Sequence, residues 1–207
     1  MARLNINPNR MELTRLKRRV VVAKRGHKLL KDKQDALIKA FLDRAREAKD
    51  LRESLEEELM ECYKSFLLAR AQTLPVMLEQ ALMISGSRVN LDVTTQNVMS
   101  VVVPVYDVRQ EGSTLNYGLA TSLGSLDVAL ERFSEIISKL IDLASKEKAI
   151  KLMAKEIEKT RRRVNALEHV MIPAFVETIK YITMKLDEQE RSNTSRLMKI
   201  KEIVRSH

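Results

Sequence analysis

The sequence predicts a mostly α-helical protein: a long antiparallel two-helix coiled-coil hairpin with a short β-hairpin at the end opposite the termini. Three observations predict this fold. Apolar residues recur at alternating steps of three and four in two segments of matched length, which is the heptad pattern of a coiled coil. A segment rich in valine and threonine separates the two. Aromatic residues make up only 4% of the 207 residues, which is little for a compact globular core.

Residues 1–84 are predicted to form the N-terminal long helix of the coiled coil. Asn7 is the expected N-cap, followed by Pro8 at the first helical position, where a missing N–H costs nothing. Pro75 is expected to kink the last portion of this helix. The predicted heptad stripe consists of Leu13, Leu16, Val20, Ala23, His27, Leu30, Gln34, Leu37 and Phe41 and, after one stutter, Ala45, Ala48, Leu51, Leu55, Leu59, Cys62, Phe66 and Ala69.

Residues 125–207 are predicted to form the C-terminal long helix, with Ser125 as its N-cap. Pro173 falls on the outer face of this helix and is expected to bend it gently, because proline removes one backbone hydrogen bond. The predicted stripe consists of Leu126, Leu130, Phe133, Ile137, Leu140, Ala144, Met153, Ile157, Thr160, Val164, Leu167, Met171, Ile182, Leu186, Leu197, Ile200 and Val204.

Residues 85–124 form a β-hairpin and loop region in this prediction. The run SGSRVNLDVTTQNVMSVVVPVYDVRQEG is rich in valine and threonine and alternates in part, which indicates a hairpin near residues 88–104 with TTQN as its turn. The run EGSTLNYGLATSLGS holds three of the five glycines and is predicted to be a loop.

Two helices of matched length, joined by a compact non-helical segment, fold back on each other most simply within one chain. A parallel dimer of two chains is the alternative, but it leaves the matched lengths unexplained. In a symmetric hairpin, residue n faces a residue near 208 minus n, so Arg162 faces the acidic stretch REAKDLRESLEEELME around position 46. Arg161 and Arg163 would then reach acids on the opposite helix, whereas Arg162 would point to water or to another chain.

The net charge of +9 is concentrated at the chain ends. Residues 1–33 hold eleven Lys and Arg against Glu12 and Asp32, so the tip that carries the termini is strongly basic. A basic tip suits nucleic acid, an anionic membrane surface or an acidic protein cavity. Nucleic acid is disfavoured, because the basic residues surround the helix and no aromatic residues are interleaved for stacking.

Apolar residues near the β end exceed what a two-stranded coiled coil needs. The surplus residues are Tyr63, Leu67, Leu68, Leu74, Val128, Ile136, Ile141 and Leu143. Either the protein's own β-hairpin or a separate protein would cover them. The candidate partner-contact residues are Tyr63, Phe66, Leu67, Val128, Ile136 and Leu143, together with Arg161, Arg162 and Arg163.

The sequence shows no motif for catalysis. It has no phosphate-binding glycine loop, zinc-ligand spacing or nucleophile elbow. Cys62 is the single cysteine and cannot form an internal disulfide. We therefore expect no catalytic residue, cofactor or metal.

No apolar run is long enough to span a bilayer, which favours a soluble cytoplasmic protein.

Three segments resemble one family along essentially the whole chain: NPNRMELTRLKRRVVVAKRGHKLLKDKQDAL, NVMSVVVPV, and EIEKTRRRVNALEHVMIP followed by IKYITMKLDEQER. They are similar to the D subunits of V-type and archaeal-type rotary ATPases. The chain resembles a bacterial member of this family. The resemblance implies a non-catalytic central-stalk rotor component of a complex peripheral to the cell membrane. It would couple ATP hydrolysis or synthesis to transport of H⁺ or Na⁺.

The resemblance also implies the partners. These are the nucleotide-binding A and B subunits of the catalytic hexamer, the small F subunit of the central stalk, and the funnel-shaped C/d subunit that links to the membrane rotor ring. It implies no nucleic acid and no insertion into the membrane. The alternatives are a free-standing coiled-coil scaffold and a nucleic-acid-binding helical rod, neither of which explains a basic tip opposite an apolar, β-capped base.

Overall fold

The structure is a computed structural model and describes residues 4–83, 86–113 and 124–206. It confirms the predicted fold class, since long helices dominate and one two-stranded antiparallel sheet interrupts them. The division into residues 1–84, 85–124 and 125–207 stays a proposal. The elements in chain order are α1 (Arg10–Gln72), α2 (Pro75–Met83), β1 (Ser87–Val98), β2 (Val101–Gly112), α3 (Gly124–Ala166), one turn of π-helix (Leu167–Met171, the π turn) and α4 (Ile172–Ser206).

The chain divides into two compact units. The terminal unit comprises residues 1–36 and 157–207, and the central unit comprises Leu37–Glu156. Helix α1 contributes to both units. In each, it pairs with the helical chain that follows the hairpin.

The start of α1 differs from the prediction. The backbone N–H of Glu12 donates to Asn9 Oδ1 at 2.8 Å, and the N–H of Leu13 donates to the Asn9 carbonyl at 3.1 Å. Asn9 is therefore the N-cap, and the expectation that Asn7 and Pro8 open the helix is wrong. The reason is local, because Asn9 stands three residues before Glu12 in the spacing of a capping box.

In the terminal unit, α1 packs antiparallel to α4. Arg10 forms an ion pair with Glu190, and further along α1 His27 contacts Glu168 at 3.2 Å. Between these contacts lies an apolar cluster with Leu16 at its centre. The buried members are Leu16, Phe175 and Ile182, and Ile6, Leu13, Val20, Ala23, Ile179, Tyr181 and Leu186 pack around them.

The register of the two helices differs from the symmetric prediction. That prediction places Arg10 opposite residue 198 and His27 opposite Tyr181, but their partners are Glu190 and Glu168. A symmetric fold-back assumes helices of equal length, whereas α1 starts beside Glu190 and α4 continues to Ser206. The last part of α4, Arg191–Ser206, therefore lies beyond this pairing, and we call it the terminal extension.

In the central unit, α1 packs antiparallel to α3. Lys139 Nζ lies 2.6 Å from Glu58 Oε1, and Arg52 Nη1 lies 3.6 Å from Glu147 Oε1. Two apolar clusters fill the space between the helices. One contains Leu55, Cys62 and Ile136, and the other contains Ala69, Leu126 and Leu78 of α2.

The predicted stripe of α1 is confirmed, since every member except Leu59 is buried or half-buried. The predicted stripe of the second helix is wrong in the middle of α3. Phe133 and Leu140 are 46% and 38% exposed, whereas Ile136 is only 3% exposed. Apolar residues occupy two adjacent stripes on α3, so the periodicity alone could not decide which stripe faces α1.

The end of the second stripe is also wrong. Leu197, Ile200 and Val204 are exposed, because they belong to the terminal extension, which lies beyond the start of α1.

Pro75 does more than kink a helix. It opens α2 after a break at Thr73 and Leu74, and the first helical turn tolerates proline because the N–H there has no intrahelical partner.

The hairpin is longer than predicted, and its turn lies elsewhere. β1 pairs with β2 from Ser87 opposite Gly112 to Val98 opposite Val101. The turn residues are Met99 and Ser100, with φ of 52° and 69°. TTQN lies inside β1, so its assignment as the turn is wrong. A two-residue turn with both φ positive usually carries Asn and Gly, and Met-Ser gives no such signal.

Candidate protein-interaction surfaces

An almost wholly apolar groove of about 410 Å³ lies in the central unit, between the end of α1, α2 and the start of α3. We call it the central groove. Because α2 starts at Pro75, Leu78 packs against Ala69 and Leu126, and Leu82 lies at the groove. The lining residues are Leu59, Cys62, Tyr63, Phe66, Leu82, Ala129, Leu130 and Phe133.

Cys62 is a buried, unreactive part of this groove. Its thiol donates to the carbonyl of Ala129 at 3.5 Å. Burial raises the pKa of the Cys62 thiol, and the nearby positive charge of Arg132 opposes this only in part. The thiol therefore stays protonated at neutral pH and behaves as a small apolar side chain.

Large apolar side chains remain exposed around the groove. Tyr63 is 60% exposed, and Leu67, Phe133 and Val128 are 43–46% exposed. Exposed apolar side chains beside an apolar groove are typical of a protein-protein interface.

The β-hairpin packs on α3 and contributes no residue to the lining of the central groove. Val101 and Val103 of β2 are buried. The hydroxyl of Ser145 donates to the carbonyl of Pro104 at 3.2 Å. The side chain of Gln110 donates to the carbonyl of Ser134 at 2.8 Å. These contacts fix the hairpin on the Ser134–Ser145 side of α3, away from the residues of α3 that line the groove.

The predicted partner-contact residues of the central unit lie in three environments: the groove lining, the exposed surface and the packed interior. Tyr63 and Phe66 line the central groove, and Leu67 and Val128 are exposed. The expectation that Ile136 faces outward is wrong, and the predicted partner contact of Leu143 stays a prediction. Ile136 is buried against Leu55 and Cys62, and Leu143 is partly buried against the same cluster. Phe133, which the sequence placed in the coiled-coil stripe, lines the groove instead.

The three consecutive arginines lie in the terminal unit with all side chains exposed. Arg162 pairs with Glu158, one turn earlier on the same helix. Neither Arg161 nor Arg163 has an ion-pair partner among the described residues. The expectation that they reach the acids around position 46 is wrong, because the His27–Glu168 contact places this stretch opposite the residues of α1 near Lys33.

A second, larger groove of about 930 Å³ lies in the terminal unit, between the first turns of α1 and the helix around the π turn. We call it the terminal groove. The heptad pattern did not predict this groove, although the apolar residues Met11 and Val22 stand outside the stripe and indicate apolar surface there. The lining residues are Met11, Thr14, Arg15, Arg18, Arg19, Val22, Ala23, Leu167, Met171 and Phe175.

Within the described residues, no cluster of three or more histidine, cysteine, aspartate or glutamate side chains is placed to hold a metal ion. None of the helices in these residues is long and apolar enough to cross a membrane.

The chain matches the family described as the ATP synthase D subunit over residues 12–202. It is 56% identical over 207 residues to the V-type ATP synthase D subunit of Clostridioides difficile strain 630, covering 99% of this chain and 93% of that protein. The identity to the V-type ATP synthase D subunit of Acetivibrio thermocellus is 54% over 208 residues, covering 99% and 94%. The identity to the V-type ATP synthase D subunit of Thermoanaerobacter sp. strain X514 is 53% over 206 residues, covering 99% of this chain and 99% of that protein. The chain belongs to the family of ATP synthase D subunits.

Proposed function

We propose that the chain is the central-stalk rotor component of a V/A-type rotary ATPase. In this role it couples ATP hydrolysis or synthesis in the catalytic hexamer to transport of H⁺ or Na⁺. The chain itself performs no covalent chemistry and transmits rotation. The observation that carries this proposal is the antiparallel pairing of α1 with α4 inside one chain, with Leu16 and Ile182 fully buried between them.

Paired helices suit a shaft because they resist bending and twisting better than a single helix does. The buried cluster of Leu16, Phe175 and Ile182 holds α1 and α4 together. The ion pairs outside, such as Arg10 with Glu190, are exposed. Exposed pairs are each worth about 0–1 kcal/mol and are screened by salt. A surface with only such weak contacts is able to move against the proteins that surround it.

The proposed partners are those that the family resemblance implies, and the surfaces of each unit suit them. The basic terminal unit, with its terminal extension, would enter the hexamer of nucleotide-binding A and B subunits. The central groove would bind the small F subunit of the central stalk, and the β-hairpin end would face the funnel-shaped C/d subunit. The assembled complex would be cytoplasmic and peripheral to the membrane. Neither a scaffold nor a nucleic-acid-binding rod accounts for a basic unit and an apolar groove in separate parts of the chain.

The test is to break the shaft while leaving the hexamer intact. Leu37 is fully buried on α1, and Leu167 opens the π turn. Proline at either position removes a backbone hydrogen bond and clashes with the preceding turn, at about 3 kcal/mol or more. In the purified complex, we expect Leu37→Pro or Leu167→Pro to leave ATP turnover running while ion transport is lost.

Leu37→Met is the matched control, because it keeps side-chain volume and the backbone hydrogen bond. It should preserve the ratio of ions moved to ATP hydrolysed. Coupling that is equal in the proline variants, in Leu37→Met and in the parent complex would refute the rotor function.

A further inference from the structure

Two weak points of the paired helices lie at the same level of the terminal unit. On α1 the weak point is Gly26, and on the opposite helix it is the π turn. The contact of His27 with Glu168 at 3.2 Å places them side by side, because His27 follows Gly26 and Glu168 belongs to the π turn. Both helices are therefore weakened at one level.

Gly26 has no packing role in the structure. It lies inside α1, and a Cβ added there would meet no atom within 4 Å. Glycine is needed where two backbones approach closely or where φ is positive, and neither applies to Gly26. In a helix interior, glycine is the least favourable residue after proline, because it loses the most conformational freedom on folding. The effect of Gly26 is to make α1 easier to open.

The opposite helix is weakened by the π turn and by the proline that follows it. The backbone N–H of Ile172 donates to the carbonyl of Leu167, five residues back. Such π turns within α-helices are rare, and helices kink at them. Pro173 comes next and has no N–H to donate to the preceding turn. This helix therefore lacks regular backbone hydrogen bonding across the level of Gly26.

Buried side chains are also absent at this level. None of residues 17–36 of α1 is buried, and none of residues 165–174 on the opposite helix is. Leu167 is only half-buried. The apolar cluster around Leu16 extends no further than Ala23 and Phe175. A region with few buried contacts is one that opens locally while the rest of a protein stays folded.

We propose that residues 24–29 of α1 and residues 165–174 form a flexible joint, at which the paired helices of the terminal unit open and bend together. Opening of the joint leaves the Leu16 cluster packed, because every member of that cluster lies on the side of the chain ends. The inference goes beyond the rotor function and concerns the motion of the chain itself. In the proposed rotor, the joint would let the end that holds the Leu16 cluster tilt without loss of its core.

Hydrogen exchange of the full-length chain tests the joint. Amides of residues 24–29 and 165–174 should exchange at least about tenfold faster than those of residues 13–20 and 178–186. Gly26→Ala favours helix without a clash, so it should slow exchange about threefold to fivefold on α1. Because the two helices open together, the slowing should extend to residues 165–174.

Lys28→Ala is the matched control for Gly26→Ala. Lys28 is exposed within the same stretch of α1, and lysine and alanine both favour helix. This variant should leave the exchange of residues 165–174 as it is in the parent chain. Equal slowing by the two variants would overturn the proposal.

Spin labels measure the bending directly. Lys159 and Lys180 are exposed on either side of the π turn, 21 residues apart. Lys39 and Met60 are exposed at the same separation on α1 in the central unit, away from the joint. Each pair would be replaced by cysteine in a Cys62→Ala background, labelled, and measured by double electron-electron resonance. We expect a wider distribution of distances for Lys159→Cys with Lys180→Cys than for Lys39→Cys with Met60→Cys, and a narrower one when Gly26→Ala is added.

The remaining outcomes are distinct from those that test the rotor function. Equal exchange in the joint and in its flanks would overturn the joint, and so would slowing by Gly26→Ala that stays on α1. Equal widths for the two label pairs would overturn it as well. Weaker assembly of the ATPase complex by Gly26→Ala, with unchanged exchange in the free chain, would mean that Gly26 admits a partner's backbone instead. None of these results alters the ratio of ions moved to ATP hydrolysed, which tests the rotor function.

Discussion

His27 Nε2 lies 3.2 Å from Glu168 Oε2, so α1 and the π turn meet at this point in the terminal unit. The sequence placed His27 in the heptad stripe as a polar member, and the structure confirms that it is partly buried there. A polar residue in a coiled-coil stripe fixes the register of the two helices at some cost in stability. Here its partner is thirteen residues away from Tyr181, which a symmetric hairpin would offer.

The first prediction contrasts this polar contact with the buried core beside it. Glu168 is half exposed, so Glu168→Gln should lower the free energy of unfolding by less than about 1 kcal/mol. Leu16 is fully buried, so Leu16→Ala should lower it by about 2–5 kcal/mol. Urea unfolding followed by circular dichroism measures both. Similar losses for the two variants would mean that the apolar cluster does not hold the terminal unit together.

The second prediction concerns the central groove. Phe66→Glu, Tyr63→Glu and Phe133→Glu each put a charge into an apolar lining and should release the small central-stalk protein from the purified complex. Met60→Glu is the control, because Met60 is 59% exposed on the same helix and does not line the groove. Stoichiometry after co-purification is the measurement. Retention of the small stalk protein by all three variants would exclude the groove as its site.

Ile136 is a poor position for that experiment. It is buried in the cluster with Leu55 and Cys62, so a charge there would unfold the central unit. Loss of a partner from an Ile136→Glu variant would therefore not identify a contact.

The third prediction concerns the hairpin turn. Met99 and Ser100 both adopt positive φ, which costs an L-residue about 1–2 kcal/mol. Replacing them together by Asn and Gly should relieve part of this strain and slow hydrogen exchange of the hairpin amides. Gly112→Ala should do the opposite, since its Cβ would lie 2.2 Å from the carbonyl oxygen of Gly86. Faster exchange in the Asn-Gly variant would contradict the turn assignment.

The fourth prediction concerns pH. Burial raises the pKa of the Cys62 thiol above its value in the unfolded chain, so the native state holds this proton more tightly. The contribution to stability is fully present below about pH 8.5 and is lost as the pH rises through the native pKa. Cys62→Ala should therefore flatten the fall of the unfolding free energy between about pH 8 and 10. If the unfolding free energy of Cys62→Ala fell with pH as steeply as that of the parent chain, other groups would cause the fall.

Local pattern predicted much of the fold. The heptad stripe of α1 identified its buried face from Leu13 to Ala69, with Leu59 as the exception, because one stripe on that helix is clearly more apolar than its neighbours. On α3 the same heptad spacing predicts that Phe133 is buried and Ile136 is not, which is wrong. Two neighbouring apolar stripes lie there, and heptad spacing alone does not distinguish the stripe that packs on Leu55 and Cys62 of α1.

The register and the candidate sites were harder to predict. The register of α1 against α4 depends on where α1 starts, at the Asn9 cap, and heptad spacing does not give that start. Tyr63 and Phe66 were predicted as surface contacts and line the central groove. The terminal groove depends on residues of α1 and of the π turn that are some 150 positions apart in sequence, such as Val22 and Met171. No local pattern brings such residues together.

The π turn at Leu167–Met171 has a consequence for chain length. The backbone N–H of Ile172 donates to the carbonyl of Leu167, five residues back, so this turn holds one residue more than an α-helical turn. Loss of a single residue here would convert it to regular helix while Phe175 and Ile182 kept their orientation. The same loss elsewhere in α3 or α4 would rotate every later side chain by about 100°. Single-residue deletions should therefore be tolerated at this turn and in few other places along these helices.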